Sequence, residues 1–99
     1  MNDRPVVPVG GSMKYGIIML CGGESMMLTP SPKPKLDLLA VTPLLGDTVL
    51  RSSKDMVEFM YHDVKLTLYP NGSVMFYHFI DLEIARTYAD EILELVRQG

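Results

Sequence analysis

The chain has 99 residues, with 12 acidic against nine basic side chains and a net charge of -3. This length suits one domain with a modest core, and the hydrophobic fraction of 47% excludes a disordered chain. A single cysteine excludes a disulfide framework and an all-cysteine zinc site. The acidic balance argues against nucleic-acid binding, and no apolar run reaches the ~20 residues that span a bilayer.

The chain begins with a segment that predicts no regular structure. Residues 1–12 contain two prolines, end in Gly-Gly-Ser and show no apolar period, so we expect a flexible N-terminal arm. Met13 is a second plausible start, which makes this arm either a native tail or added sequence. Residues 13–99 are expected to form a single small domain.

The first predicted element is a strand. Tyr15–Cys21 is a continuous apolar run that ends at two glycines, which is typical of a buried strand. The run is too short for a signal peptide, and Leu20 stands before Cys21 where signal cleavage requires a small side chain. We therefore expect a cytoplasmic protein.

The middle of the chain gives weaker signals. Glu24–Leu28 predicts a short strand or an irregular turn, and Leu36–Val41 predicts a strand. Between them, residues 29–35 carry three prolines at alternate positions and are expected to form an extended connector inside the domain. Thr48–Arg51 is a further, weak strand candidate.

Three strands follow in the aromatic-rich part of the chain: Asp55–Tyr61, Val64–Tyr69 and Ser73–Ile80. Pro70-Asn71-Gly72 between the last two suits a three-residue loop with Gly72 in the left-handed conformation. That loop pairs Tyr69 with Ser73. A two-residue Asn-Gly loop would slip the register by one position and exchange the faces of the partner strand.

The last predicted element is an amphipathic helix, Leu82–Arg97. Asp81 can cap its first turn. Its apolar side chains recur at helical spacing on one face: Ala85, Tyr88, Ala89, Ile92, Leu93 and Val96. From Asp81 to Gly99 there are five acidic and two basic residues, so the helical segment carries the whole net charge.

The strand Ser73–Ile80 is apolar on both faces, and one helix covers only one face of a sheet. The second face must therefore meet the N-terminal half, a partner chain or a ligand. In the preferred register this face carries the side chains that we predict as an interface: Tyr69, Met75, Tyr77 and Phe79.

Residues that could carry chemistry are few. Cys21 and His78 are weak candidates for a small-molecule pocket with Tyr77, although a core histidine and a small buried thiol are the simpler interpretations. His62 is predicted to lie in a surface turn. The set of Cys21, His62 and His78 lacks the close spacing of metal ligands, and no glycine-rich phosphate loop occurs. No catalytic, cofactor-binding or metal-binding residue is assigned.

The sequence predicts an α+β fold, a mainly antiparallel sheet of about five or six short strands packed by one C-terminal amphipathic helix. The predicted function is a small cytoplasmic module for protein interaction or self-association, without catalysis, as a homodimer or with another protein partner. The alternative is a small-molecule-binding or accessory enzyme protein with a pocket near Cys21, His78 and Tyr77. Neither a nucleic acid nor a membrane is expected as a partner.

Overall fold

The computed structural model describes residues 14–97, which form one six-stranded sheet and two helices. All neighbouring strands are antiparallel, in the order β1-β2-β6-β5-β4-β3. The strands are β1 (Lys14–Leu20), β2 (Ser25–Ser31), β3 (Val49–Ser52), β4 (Val57–Tyr61), β5 (Val64–Leu68) and β6 (Val74–Phe76). The helices are α1 (Leu38–Leu45) and α2 (Leu82–Arg97). The α+β class, the antiparallel sheet and the C-terminal helix are confirmed. The predicted arm, residues 1–12, lies outside the described residues.

Both helices pack on the same face of the sheet, and the core lies between these two layers. Alternate residues of the central strands point into it, as the period of two in a strand requires. The fully buried core side chains of the sheet are Met26, Leu28, Val57, Phe59, Leu66, Leu68, Val74 and Phe76. No helix of the described residues is both long and apolar enough to cross a membrane.

The turn between β5 and β6 is the predicted three-residue loop. The N–H of Tyr69 donates to the carbonyl of Ser73 at 2.9 Å. The side-chain oxygen of Asn71 accepts from the N–H of Ser73 at 2.9 Å, and Gly72 has a φ of 86°, which glycine adopts without strain. The predicted register is therefore confirmed.

The predicted proline connector begins later than residue 29. Residues 29–31 continue β2, which pairs with β1 as far as Ser31. A proline is tolerated within this strand because β6 pairs with β2 only from Met26 to Leu28, so no partner strand lies opposite Pro30 on that side.

The rest of the connector packs against the β5–β6 turn. The N–H of Leu36 donates to the carbonyl of Pro70 at 2.8 Å. A Cβ atom built on Gly72 would lie 2.6 Å from Cγ of Pro34 and 2.8 Å from Cγ of Pro30. The rings of Pro30 and Pro34 therefore pack against Gly72, and this contact fixes the connector to the β5–β6 hairpin.

The predicted strand Leu36–Val41 is wrong, because the chain here enters α1. Asp37 caps this helix by accepting from the N–H of Leu39 at 3.1 Å. The buried side chains recur at helical spacing: Leu38, Val41 and Leu45. Pro43 lies inside this helix.

Helix α2 has the predicted bounds and the predicted cap. The carboxylate of Asp81 accepts from the N–H of Ile84 at 3.1 Å. The predicted apolar face is buried except for Tyr88, which is half-buried. The C-terminal helix is thus specified by its 3.6-residue apolar period and by its cap, and both signals are local in sequence.

Two tyrosines of the sheet anchor α2 by hydrogen bonds to carboxylates. The hydroxyl of Tyr15 donates to Asp90 at 2.5 Å, and that of Tyr61 donates to Glu91 at 2.6 Å. Burial, with the hydrogen bond to Glu91 as the second cause, raises the pKa of Tyr61 to about 12. Burial also raises the pKa of Tyr15.

Candidate interaction site

The second face of the sheet, called the open face below, is covered by neither α1 nor α2. Tyr69, Met75 and Tyr77, three of the predicted interface residues, lie on this face and are half-buried. Burial, helped by the nearby Tyr77 and Glu58, raises the pKa of Tyr69. Longer side chains around them leave the central Thr67 fully buried. The open face is therefore a packed surface rather than a cleft.

The ionisable groups at the centre of the open face bind one another. The side chain of Glu58 is only 8% exposed, and its carboxylate lies 3.3 Å from Nε of Arg51 and 3.5 Å from Nζ of Lys65. The ammonium group of Lys65 lies 5.1 Å from the centre of the Tyr77 ring. A carboxylate this buried requires such compensation, so we interpret this network as structural.

Phe79, the fourth predicted interface residue, lies on the opposite face of the sheet. Its ring stacks on Phe76 in the core at 5.9 Å and on Tyr88 of α2 at 6.2 Å. The predicted strand to Ile80 is too long, because β6 ends at Phe76. His78 then takes a φ of 52°, which breaks the two-residue alternation and returns Phe79 to the helix side.

His78 is exposed rather than buried among apolar neighbours. Its backbone N–H donates to the hydroxyl of Ser25 at 3.1 Å, and its Nδ1 lies 3.5 Å from the carboxylate of Glu24. The hydroxyl of Tyr77 instead accepts from Thr67 at 3.1 Å. The side chain of Cys21 lies outside the described part of the structure. The predicted pocket around these residues therefore stays a prediction.

The described cavities lie elsewhere. A groove of about 540 Å³ runs along one side of α2 and is lined by Leu82, Glu83, Arg86, Thr87 and Asp90. A cavity of about 320 Å³ lies between the connector, α1 and the end of α2. In residues 14–97, no cluster of three or more His, Cys, Asp or Glu side chains is placed to hold a metal ion. His62 lies in an exposed turn, as predicted, with its ring stacked on Tyr88 at 5.0 Å.

The two edges of the sheet differ in how well they are protected. Strand β3 has four residues, its register with β4 shifts between Val49 and Arg51, and Arg51 is largely exposed. Short strands, bulges and charges are the devices that protect an edge from pairing with another chain. Strand β1 has seven residues in unbroken register, without proline, and its one charged residue is Lys14.

Strand β1 exposes apolar side chains on both of its faces. Ile17 is 41% exposed and Met19 is 50% exposed on the helix side, while Ile18 is 56% exposed on the open face. The prediction of a buried strand here is wrong, because β1 is the outermost strand and pairs with β2 alone among the described strands. An unprotected apolar edge of this kind is a template for a further strand.

The backbone groups that β1 presents can be assigned from the ladder. In an antiparallel ladder, N–H and C=O of one residue point to the same neighbouring strand, and successive residues alternate between neighbours. The N–H of Tyr77 donates to the carbonyl of Lys65 at 3.1 Å, and that of Tyr69 to Ser73. The backbone N–H and C=O groups of Tyr77 and Ser73 therefore point to β5, and those of Val74 and Phe76 in β6 point to β2.

The same alternation continues through the registers of β2 and β1. In β2, the backbone groups of Met27 and Thr29 point to β1, where these residues pair with Ile18 and Gly16. The backbone groups of Ile18 and Gly16 are therefore bonded to β2. The backbone groups of β1 that remain at the free edge belong to three residues: Tyr15, Ile17 and Met19. These three residues provide one donor and one acceptor each, which no described strand uses.

Sequence reasoning missed this edge because a continuous apolar run is typical of a buried strand and carries no information on the order of the strands in the sheet. The signal that was available is the contrast between a long apolar run at one end of the domain and the short, polar segment that forms β3. No protein-family model, no curated protein and no solved structure matches this chain, so the free edge of β1 is the feature on which its function must be argued.

Proposed function

We propose that this protein is a non-catalytic interaction module of the cytoplasm, which binds its partner by adding a strand to the free edge of β1. The observation that carries the proposal is this edge itself, where three donors and three acceptors that no strand of residues 14–97 uses lie beside the exposed side chains of Ile17, Ile18 and Met19. Main-chain hydrogen bonds supply affinity in strand addition, and alternate side chains supply specificity.

The rest of the molecule supports the same proposal. The opposite edge is short and irregular in register. On the open face, Glu58 forms ion pairs with Arg51 and Lys65. The hydroxyl of Tyr77 accepts a hydrogen bond from Thr67, so the polar groups of this face already have partners within the fold. Exposed apolar area next to unpaired backbone groups is concentrated at β1, where it fits an extended segment better than a small molecule.

The experiment uses random peptides displayed on phage, selected on the wild-type chain. Recovered peptides are titrated against Ile17→Pro, which removes a donor from the free edge of β1. Ser52→Pro is the matched control, because Ser52 alternates with the bonded Arg51 and so faces the free edge of β3. We expect Ile17→Pro to weaken binding by about tenfold or more and Ser52→Pro to leave it unchanged.

Amide exchange of the wild-type chain gives the second measurement. Bound peptide should slow exchange at Tyr15, Ile17 and Met19, whereas Gly16 and Ile18 are already bonded to β2 without it. Peptides that bind Ile17→Pro as tightly as wild type and leave these amides unchanged would contradict strand addition. The proposal also fails if no peptide depends on this edge and the chain does not self-associate.

A further inference from the structure

We infer that the partner added at β1 is a second copy of this chain, paired antiparallel with its own β1 about a two-fold axis at Ile17. This inference rests on the proposed function, because it names the partner of the same edge. Two β1 strands so paired join two sheets into one continuous sheet, with the helices of both copies on the same side.

The register follows from the three free-edge residues. An axis at Ile17 places Ile17 opposite Ile17 and Tyr15 opposite Met19 of the other copy. Each of the three residues in both strands then donates once and accepts once, which makes six backbone hydrogen bonds. An axis at Gly16 or at Ile18 pairs only two of the three residues within the strands.

The side chains agree with this register. On the open face it places Ile18 of one copy opposite Gly16 of the other, where the missing side chain leaves room for the isoleucine. Lys14 falls opposite Leu20, so like charges are never directly opposed. The exposed carboxylate of Glu24 stands at the same end of the hairpin as Leu20, which is the end that Lys14 of the other copy approaches in this register.

These features favour a second copy over an unrelated strand. The edge is apolar on both faces around Ile17, and its one positive charge lies at the far end from the negative charge of Glu24. Antiparallel pairing of two β1 strands therefore opposes apolar side chains around Ile17, and it brings the positive end of one strand to the end of the other hairpin that carries Glu24. Two paired strands of seven residues each make a contact smaller than a standard interface of about 1,600 Å², so we expect a weak and reversible dimer.

The test is sedimentation equilibrium of the wild-type chain over a concentration series from micromolar to millimolar. Ile17→Lys places two ammonium groups directly opposite each other at the axis and should weaken the dimer by at least about tenfold. Leu50→Lys is the matched control, since it adds the same charge at an exposed apolar residue of the other edge and should leave the dimer unchanged.

Amide exchange at low and high protein concentration tests the register itself. Exchange at Tyr15, Ile17 and Met19 should slow as the concentration rises, while Gly16 and Ile18 stay protected throughout because they bond to β2. These two amides also report that each variant is folded. Slowing at only two of the three free-edge residues would overturn the axis at Ile17.

The outcomes separate this inference from the proposed function. A chain that is monomeric at every concentration, yet binds selected peptides through β1, overturns the second copy as partner and leaves strand addition standing. A dimer that survives Ile17→Lys but is lost in Leu50→Lys overturns this inference, because it would place the contact at β3, and peptide titration against Ile17→Pro then decides strand addition by itself. A dimer equally stable in both variants also overturns the inference.

Discussion

Gly72 of the β5–β6 turn offers the sharpest test of how the proline connector is fastened to the sheet. In Gly72→Ala the new Cβ atom would lie 2.6 Å from Cγ and 2.8 Å from Cδ of Pro34, and 2.8 Å from Cγ of Pro30. Proline rings cannot turn aside as the end of a flexible side chain can. The glycine also has a φ of 86°, which alanine adopts only with strain.

The magnitude has two parts. Forcing an alanine into the left-handed conformation costs about 1–2 kcal/mol. Inserting a methyl group into an occupied space costs about 1–3 kcal/mol more. We therefore expect Gly72→Ala to lower the free energy of unfolding by about 2–5 kcal/mol, a large part of the ~5–15 kcal/mol typical of a domain.

Urea denaturation followed by circular dichroism measures this loss, and Gly22→Ala separates its two parts. Gly22 also has a positive φ, 67°, but no atom lies within 4 Å of a Cβ built there. This control should lose only the conformational cost of about 1–2 kcal/mol. The difference between the two variants is then the cost of fitting a methyl group against the proline rings of the connector.

Equal losses in Gly72→Ala and Gly22→Ala would refute the reasoning. They would mean that the connector withdraws from the turn at no cost, although the N–H of Leu36 donates to the carbonyl of Pro70. A difference below about 0.5 kcal/mol lies within the range of ordinary surface substitutions and would count as equal.

Three further predictions concern stability. Ile18→Pro removes an N–H donor that bonds to β2, whereas Ile17→Pro removes one at the free edge. Urea denaturation should therefore show that Ile18→Pro is less stable than Ile17→Pro by about 1–3 kcal/mol. The reverse order of stability would contradict the assigned alternation of backbone groups. Because the pKa of Tyr61 is raised from 10.0 to about 12, its contribution to stability is complete below pH 10 and is lost as the pH rises toward 12. Tyr61→Phe should reduce this alkaline loss in urea midpoints measured against pH, and an unchanged slope would contradict the raised pKa of Tyr61. Asp81→Ala should cost about 0.5–2 kcal/mol by thermal denaturation and Asp81→Asn much less; equal losses would show that the cap contributes little.

The hairpin and the C-terminal helix were predictable because their signals are local. Pro70-Asn71-Gly72 combines a preset φ, an amide that bonds its own backbone and a glycine, and together these select one loop length. In α2 the cap and the 3.6-residue period agree over four turns. The buried face of the sheet then follows from the register of β5 with β6.

Two parts of the fold were not predicted from the sequence. The run Leu36–Val41 is short and apolar, and its helix becomes visible only when Asp37 is identified as a cap and Leu45 as part of the buried face. The end of β6 is followed by His78 in a left-handed conformation, which histidine adopts more often than most residues but too rarely for its presence to predict the turn. The position of Phe79 was wrong for that reason alone.

The open face of the sheet was predicted from the sequence, whereas the free edge of β1 was not. The second face of the sheet was expected to need a partner or a cover, and Tyr69, Met75 and Tyr77 do lie there. The sequence does not reveal the order of the strands. That order places β1 at an edge of the sheet, where its side chains are more exposed than those of the open face. Hydrophobicity reports that a strand is to be buried but not which molecule buries it.

The irregular register of β3 has a consequence for the size of any assembly. Were both edges long and regular, β1 of one copy could pair with β3 of the next, and such head-to-tail contacts would repeat without end into a filament. The shift between Val49 and Arg51 leaves β3 unsuited to that role. In the proposed dimer, growth of the sheet would stop once two β1 strands pair, because both outer edges of the joined sheet would then be β3 strands.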